Sequence, residues 1–576
     1  VVALFGIYKL MKKLRWQLLI IFLTGLVVGI LLISEQPENK PEATVEPQSG
    51  GVYVEALVGE FQRLNPVLDF YNPSDQDLDK LIYSRLITFK ERGIPQADLA
   101  ESWGISQDGT VYNFTLRADA KWHDGIPVTS DDILYTVNLL REGVDVVPED
   151  IRAFWTEVEV KVLSDTTLQF SLPEPFAPFL DYLSFGILPS HLLGNMSFDE
   201  VLNSSFNLQP VGSGPYKFGS LVVEDDQIRG VVLNVNEDYY GEVPFIEQLV
   251  FRYYDNSQDA FLAYKDAQVQ GISFVDAATL PAVLNESQLA IYSAREPELT
   301  MVLFNLNNEQ VSFFQDPIVR KAFLTGLNRQ KIIDRILAGQ AIIADGPILP
   351  GTWAYYEGLT SIAFHSENAI SALKEDGFIL SGEENPVRAK EGVELRFELL
   401  YPDTEKHRQI AEMIQADWEN LGAVVEIRAV PYEELISNHL ETRDFQAVLI
   451  DQNLANTPDP DPYPFWDQVQ ATGGQNYSQW DSTVASDYLE QARTTIDLIE
   501  RSALYRNFQV VFAEELPALP LFYPVYTFAV STQVNGIQVG PLFSSSDRFM
   551  TISQWFLAVP QVQSQNIGEI TATPEE

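Results

Sequence analysis

LAESWGISQDGTVYNFTLRADAKWHDGIPVTSDDILYTVNLL, residues 99–140, holds two turn signals and a helix start in one run. Asp108-Gly109 supplies the φ > 0 positions of a tight hairpin, and Tyr112, Phe114 and Leu116 alternate with Asn113, Thr115 and Arg117 as in a strand buried on one face. A second Asp-Gly turn stands at Asp124-Gly125. Thr129, with Asp132 three residues later, forms a capping-box-like start for a helix whose apolar face carries Ile133, Val137 and Leu140. The stretch predicts a hairpin followed by a helix, which is scaffold rather than chemistry.

Outward from it the chain alternates strand-like and helix-like segments. Leu395, Phe397 and Leu399 alternate as a strand; Ile410, Met413, Ile414, Trp418 and Leu421 recur at helical spacing until Gly422; Val425 and Ile427 resume as a strand. This is a βαβ pattern, which implies a parallel pair with a right-handed crossover. One helix is expected over 317–337, with Gly339 as its C-cap. The first half is richer in hairpins and the second in βαβ signals, so at least two α/β lobes are expected. The cleft between them is the default ligand site.

Composition narrows the function classes. Lys plus Arg total 37 against 81 Asp plus Glu, a formal charge of −44 that repels phosphate backbones and anionic bilayers, so nucleic acid is excluded as a partner. With 46% hydrophobic and 12% aromatic residues, 576 residues are ample for several cores. The absence of cysteine excludes disulfides, thiolate metal sites and a lipid-modified cysteine.

Residues 1–33 carry Lys9, Lys12, Lys13 and Arg15 but no acidic residue, and 16–33 (WQLLIIFLTGLVVGILLI) approaches the ~20 apolar residues that a bilayer-spanning helix needs. The basic flank orients the N-terminus to the cytoplasm and everything after Ser34 outside. Without a small-x-small cleavage site near 31–35, the segment reads as an uncleaved anchor rather than a signal peptide. A Pro-rich spacer follows over 34–51, and 563–576 has too little apolar surface to pack.

The catalytic inventory is thin. Of five histidines (His123, His191, His365, His407, His439) none stands in HExxH, and no GxSxG, P-loop or GxGxxG is present. Gly212-Ser213-Gly214 precedes Pro215 and fits a turn better than a nucleophile elbow; His123 beside Asp124 reads as a satisfied structural histidine. Asp459-Pro-Asp461 lacks the glycine and the distant glutamate of a calcium loop. No metal, cofactor or catalytic residue is signalled.

The 99–140 stretch resembles the signature of the extracytoplasmic solute-binding proteins that feed peptide and nickel ABC importers (family 5), in which "LA.SW..s.DG..y.F.LR....WHDG.P.ta.D" recurs. Further pieces keep the family's order: PVGSGPYKF at 210–218, Tyr239-Tyr240-Gly241, LFNL at 303–306, DPIVRKAFLTGLNRQKII at 316–333, the 346–350 segment, 459–466 and 501–523. The resemblance implies an α/β, periplasmic-binding-protein-like type II fold of the large class, two α/β lobes with a hinge plus an extra α+β domain. By analogy the first lobe takes 52–92, 185–298 and 520–562, the extra domain 93–184, and the second lobe 299–519. It also implies a monomer that traps a small peptide or other polar solute and hands it to permease subunits with cytoplasmic ATPases, with no covalent chemistry. The alternatives are a membrane-tethered surface receptor not coupled to transport and an extracellular hydrolase.

Tyr216, Trp353, Tyr463, Trp466 and Trp480 lie in Gly/Pro-rich, loop-like segments where an aromatic ring can either enclose a solute or pack, and Asn305 can either bond a ligand or end a strand. Peptide-binding relatives hold the ligand's α-amino group with an aspartate a few residues before an acidic-Pro-x-x-Phe element, which 461–465 resembles. An ungapped match puts Pro458 at that position, and Asp459 replaces it only with a shift of one residue. Pro458, Pro460, Pro462 and Pro464 stiffen this loop, so Asp459, Asp461 and Trp466 are expected to be preorganised for a cationic or polyol group. Asp459→Ala or Asp461→Ala is then expected to weaken solute binding with little effect on stability.

Overall fold

The computed structural model describes residues 46–194, 196–381, 386–455 and 458–558. The predicted anchor at 16–33, most of the spacer and the 563–576 tail lie outside the described residues. Among the described residues no helix is long and apolar enough to cross a membrane.

The 99–140 stretch folds as its turns and alternation dictate. Strands Ala100–Ile105 and Val111–Leu116 pair antiparallel across Gly109, whose φ of +72° suits a residue without a Cβ. Strands Thr167–Ser171 and Glu159–Ser164 extend them into a four-stranded sheet. Helix Ser130–Glu142 follows, with Ile133, Val137 and Leu140 fully buried. The Asp132 carboxylate accepts the backbone N–H of Thr129 at 2.8 Å, the Trp122 indole N–H at 3.2 Å and the backbone N–H of Ser190 at 2.8 Å, so the helix start also fastens the following chain. One continuous apolar core runs from Phe114, Trp155 and Phe170 in this sheet to Tyr53, Leu249 and Phe251 in the first lobe, so the extra sheet is fastened to that lobe.

The main sheet has twelve strands, and the fourteen-residue strand Ala518–Ser531 runs through its middle. Ala518 to Pro524 pair with Glu298–Phe304 and Ala341–Ile343; Val525 to Ser531 pair with Leu289–Arg295 and Gly271–Ile272. Beyond them the first lobe adds Val52–Val58, parallel to Gln248–Tyr254, and the hairpin Gln227–Val235 with Tyr216–Glu224. The second lobe adds Ala447–Asn453, Arg396–Pro402 and Val424–Val430. Two adjacent backbone segments therefore pass from lobe to lobe: Glu296-Pro297 and the stretch around Pro524. Glu296 donates its N–H to the Pro524 carbonyl at 2.8 Å, tying the crossings to each other. Pro520 and Pro524 bring no N–H to this strand, and the register slips between Thr300 and Met301 opposite them, so the ladder is weakest where the lobes join.

The βαβ reading holds: Arg396–Pro402 and Val424–Val430 pair in parallel across helix Glu405–Asn420. Trp418 is fully buried and donates its indole N–H to the Phe323 carbonyl at 3.0 Å. The single helix expected over 317–337 is two, Pro317–Thr325 and Arg329–Ile336. The break has a cause: Gly326 lies against Leu421, where a Cβ would come within 2.5 Å, and the Asn328 side chain caps Lys331 while its own N–H is taken by Asp417 at 2.9 Å. Apolar periodicity runs on across the break because both helices bury one face against the same core.

Candidate functional site

Two family-like elements distant in sequence are locked together at one edge of the first lobe. His123 Nδ1 accepts the N–H of Gly212 at 3.1 Å, and Nε2 faces the Gly214 carbonyl at 3.1 Å, which fixes the neutral tautomer with the proton on Nε2. Burial pushes the His123 pKa down to about 4. With both nitrogens engaged, the ring is a clamp with no lone pair left for general-base work. Gly212 passes so close to the end of helix Pro73–Ile82 that a Cβ would stand 1.9 Å from the Ile82 carbonyl oxygen. Ser213 is buried and bonded to Ser84, with the Ser84 hydroxyl donating to the Ser213 carbonyl at 2.9 Å.

The cleft between the lobes contains a small cavity of about 40 Å³, partly open to solvent. Lys80, Arg85, Phe89, Phe543 and Asp547 face it from the first lobe and Pro458 from the second. Lys80 Nζ lies 2.9 Å from Asp547 Oδ1, and Asp547 Oδ2 accepts the N–H groups of Phe543 and Ser544 at 2.9 and 3.0 Å. Burial, aided by the nearby Arg85 charge, lowers the Lys80 pKa; Asp547 stays below the usual carboxylate range despite its burial because Lys80 faces it.

The proline-rich loop forms the second-lobe side. Asp459 makes a two-pronged ion pair with Arg501, the second prong at 2.8 Å, and accepts the Tyr505 hydroxyl at 3.3 Å. The Arg501 guanidinium sits 5.1 Å from the Trp353 ring centre and 5.4 Å from that of Tyr505. Burial works against the Arg501 charge, and Asp459 more than restores it. Asp461 pairs with Arg493 at 3.0 Å, and burial still raises its pKa despite that partner. Arg493 stacks 4.2 Å from the Tyr463 ring centre and 5.1 Å from that of Phe176 across the cleft. The backbone N–H of Trp353 donates to the Arg92 carbonyl at 2.9 Å.

The structure thus brings Asp459, Asp461, Tyr463 and Trp353 together and sets the remaining candidates apart. Tyr216 is fully buried and donates its hydroxyl to the Ile246 carbonyl at 3.0 Å. Asn305 donates to the carbonyls of Arg443 and Phe445 at 2.8 and 3.1 Å and accepts from Gln479 at 2.7 Å. Trp466 and Trp480 pack on Phe512 in the second-lobe core, and the Trp480 indole donates to Glu515 at 2.7 Å. The expected pairing of Asp459 or Asp461 with a ligand cation meets an arginine of the chain itself at each carboxylate.

Sequence reading missed Arg501, Arg493, Lys80, Arg85 and Asp547. Only one signal was available: Arg501 and Tyr505, four apart, share a face of helix Leu498–Glu515. Among the described residues no cluster of three or more His, Asp or Glu side chains is arranged to hold a metal.

Residues 95–475 match the family described as bacterial extracellular solute-binding proteins, family 5 Middle. The chain is 26% identical over 520 residues to the oligopeptide-binding protein AppA of Bacillus subtilis, covering 89% of this chain and 93% of that protein. It is also 26% identical over 521 residues to the dipeptide-binding protein of Escherichia coli, covering 84% and 91%. Among solved structures, HbpA2 from Haemophilus parasuis superposes with a TM-score of 0.75 at 20% identity, over 88% of this chain and all of that one, which is likeness of fold. The two-lobed architecture is the type II periplasmic-binding-protein fold.

Proposed function

The chain belongs to the bacterial extracellular solute-binding proteins of family 5, and on that premise we propose that it captures a small peptide or similar polar solute between its lobes and delivers it to the permease of an ABC importer. The observation that carries this reading is a cleft lined by charged and aromatic side chains, spanned by just two backbone crossings at Glu296-Pro297 and Pro524. Such a pair of strands acts as a hinge, and hinge closure converts binding energy into a shape that a permease can distinguish. The names of the oligopeptide- and dipeptide-binding relatives favour peptides as the solute class. Asp459, Asp461, Tyr463 and Trp353 are taken as the second-lobe wall. In this reading the protein works outside the cytoplasmic membrane as a monomer, tethered by residues 16–33.

Native mass spectrometry of the protein purified from its host is expected to show a bound low-mass polar species. Small-angle scattering is expected to show a smaller radius of gyration with that species than without it. Saturating binding with an unchanged radius would remove the hinge mechanism, and an N-terminus found within 34–50 by intact-mass measurement would remove the tether.

A further inference from the structure

The cleft pocket contains a guanidinium that makes no direct ion pair of its own among the described residues. Lys80 is engaged by Asp547, whose second oxygen is occupied by two backbone N–H groups. Arg85 lines the same pocket, yet among the described residues no carboxylate lies within 4.0 Å of its guanidinium. Its backbone is held on both sides: its N–H donates to Asp98 Oδ2 at 2.9 Å, its carbonyl accepts the Leu99 N–H at 3.0 Å, and it bridges to Gly186. Asp98 acts on the Arg85 charge only from beyond ion-pair distance, and its other oxygen accepts the Tyr240 hydroxyl. An unpaired guanidinium on a fixed backbone, half-buried beside Phe89 and Phe543, is a preorganised fork for a planar anion.

The opposite wall has the complementary property. Its two carboxylates, Asp459 and Asp461, are each neutralised by an arginine of the second lobe, so a ligand ammonium meets no free carboxylate there. From these two observations we infer that the pocket around Arg85 is an anion subsite taking a carboxylate of the solute, which is held by that end rather than by an amino group. Phe89, Phe543 and Pro458 give the part of the solute next to the carboxylate an apolar wall. This assignment rests on the solute-binding reading above and adds which end of the molecule is read.

The test uses an equimolar mixture of tri- to pentapeptides in four forms: free, N-acetylated, C-amidated, and blocked at both ends. Bound species are counted by native mass spectrometry on the full-length protein. The expected result is that acid forms are bound at least tenfold more than their amides, while N-acetylation changes binding less than threefold. Arg85→Gln is expected to abolish the acid preference with the Tm unchanged, and Arg85→Lys to retain part of it. Binding of amides equal to that of acids by the natural protein overturns the assignment and leaves the solute-binding reading standing. Binding of none of the four forms removes the assignment, and only the further absence of any bound polar species in protein purified from its host removes the solute-binding reading as well.

Discussion

The backbone N–H of Asp459 in the second lobe donates to Oδ2 of Asp181, at 2.7 Å on the far side of the cleft, while the Asp459 carboxylate turns inward to Arg501. One residue therefore links the extra domain's 3-10 turn Ala177–Leu183 to the helix Leu498–Glu515. Burial first, and the Asp459 charge second, raise the Asp181 carboxyl well above the usual carboxylate range. The proline-rich loop is a strut between the lobes with its charges already matched.

That geometry sets the effect of Asp459→Ala on stability. An exposed turn aspartate is dispensable, but the side chains of Asp459 and Arg501 are 8% and 4% exposed, and removing one strands the other. Breaking such a pair costs about 3–5 kcal/mol, whereas replacing both partners with apolar residues is close to neutral. Urea denaturation is expected to show a loss of that size for Asp459→Ala and recovery of at least half of it in Asp459→Ala/Arg501→Met. A single variant as stable as the natural chain would show that the pair contributes nothing.

Helix Pro73–Ile82 buries three carboxyls, Asp75, Asp77 and Asp79. Asp77 is paired with Arg548, but Asp79 has the Asp69 carboxyl beside it and no paired cation. Burial raises Asp69 and Asp75 to about 7, and burial together with the Asp69 charge raises Asp79 well above the usual carboxylate range. The native state then holds protons that the unfolded chain has released above pH ~4, so their stabilising contribution is complete below that pH and is lost as pH rises through about 7. His123, depressed to about 4, runs the other way between pH ~4 and ~6.5, so the comparison of variants isolates the acids. Asp79→Asn, neutral at every pH, is expected to raise the Tm at pH 8 by clearly more than at pH 5. An equal shift at both pH values would show that Asp79 is ionised throughout.

How much of this was legible in the sequence depended on how local the cause was. The hairpin at Gly109, the helix after Thr129 and the βαβ unit around Trp418 follow from turn chemistry and apolar spacing within some forty residues. The break at Gly326 was invisible because its cause, the Leu421 side chain, arrives from 95 residues along the chain, as does the indole N–H of Trp418 at Phe323. The site was less legible again. Asp459 and Asp461 are singled out by loop chemistry, but their partners Arg501 and Arg493 lie 42 and 32 residues on, and no spacing rule links a turn to a later helix face. Tyr216, Trp466 and Trp480 sit in segments that look like loops and are nonetheless core.

The Gly212-Ser213-Gly214 turn gives a sharper stability test than any of its polar groups. Gly214 donates its N–H to the Ile82 carbonyl at 2.8 Å, the same oxygen that a Cβ on residue 212 would meet at 1.9 Å. Gly212→Ala must push the turn off the helix end and loosen the bonds to His123. The expected cost is about 1–3 kcal/mol, typical of overpacking, read as a lower denaturation midpoint. An unchanged midpoint would show that the turn has room to shift.

Arg493 offers a way to disturb the relation between the lobes without opening either core. Its guanidinium lies between Tyr463 of its own lobe and Phe176 across the cleft, and its side chain is 29% exposed. A cation–π contact at such a site is worth about 0.5–1 kcal/mol, and an ion pair of this exposure adds a similar amount. Arg493→Ala removes the stacking against Phe176 from the arrangement in which the lobes touch and takes no comparable contact from one in which they are apart. The balance between the two is therefore expected to move about three- to fivefold toward separation, with the Tm lowered by only a few degrees. Fluorescence energy transfer between dyes on exposed positions 163 and 499, one on each side, is expected to show a larger separated fraction in the variant without ligand. Dissociation of a captured solute should quicken by the same factor. An unchanged distance distribution would show that Arg493 stabilises its own lobe alone and that the Asp181–Asp459 link sets the spacing.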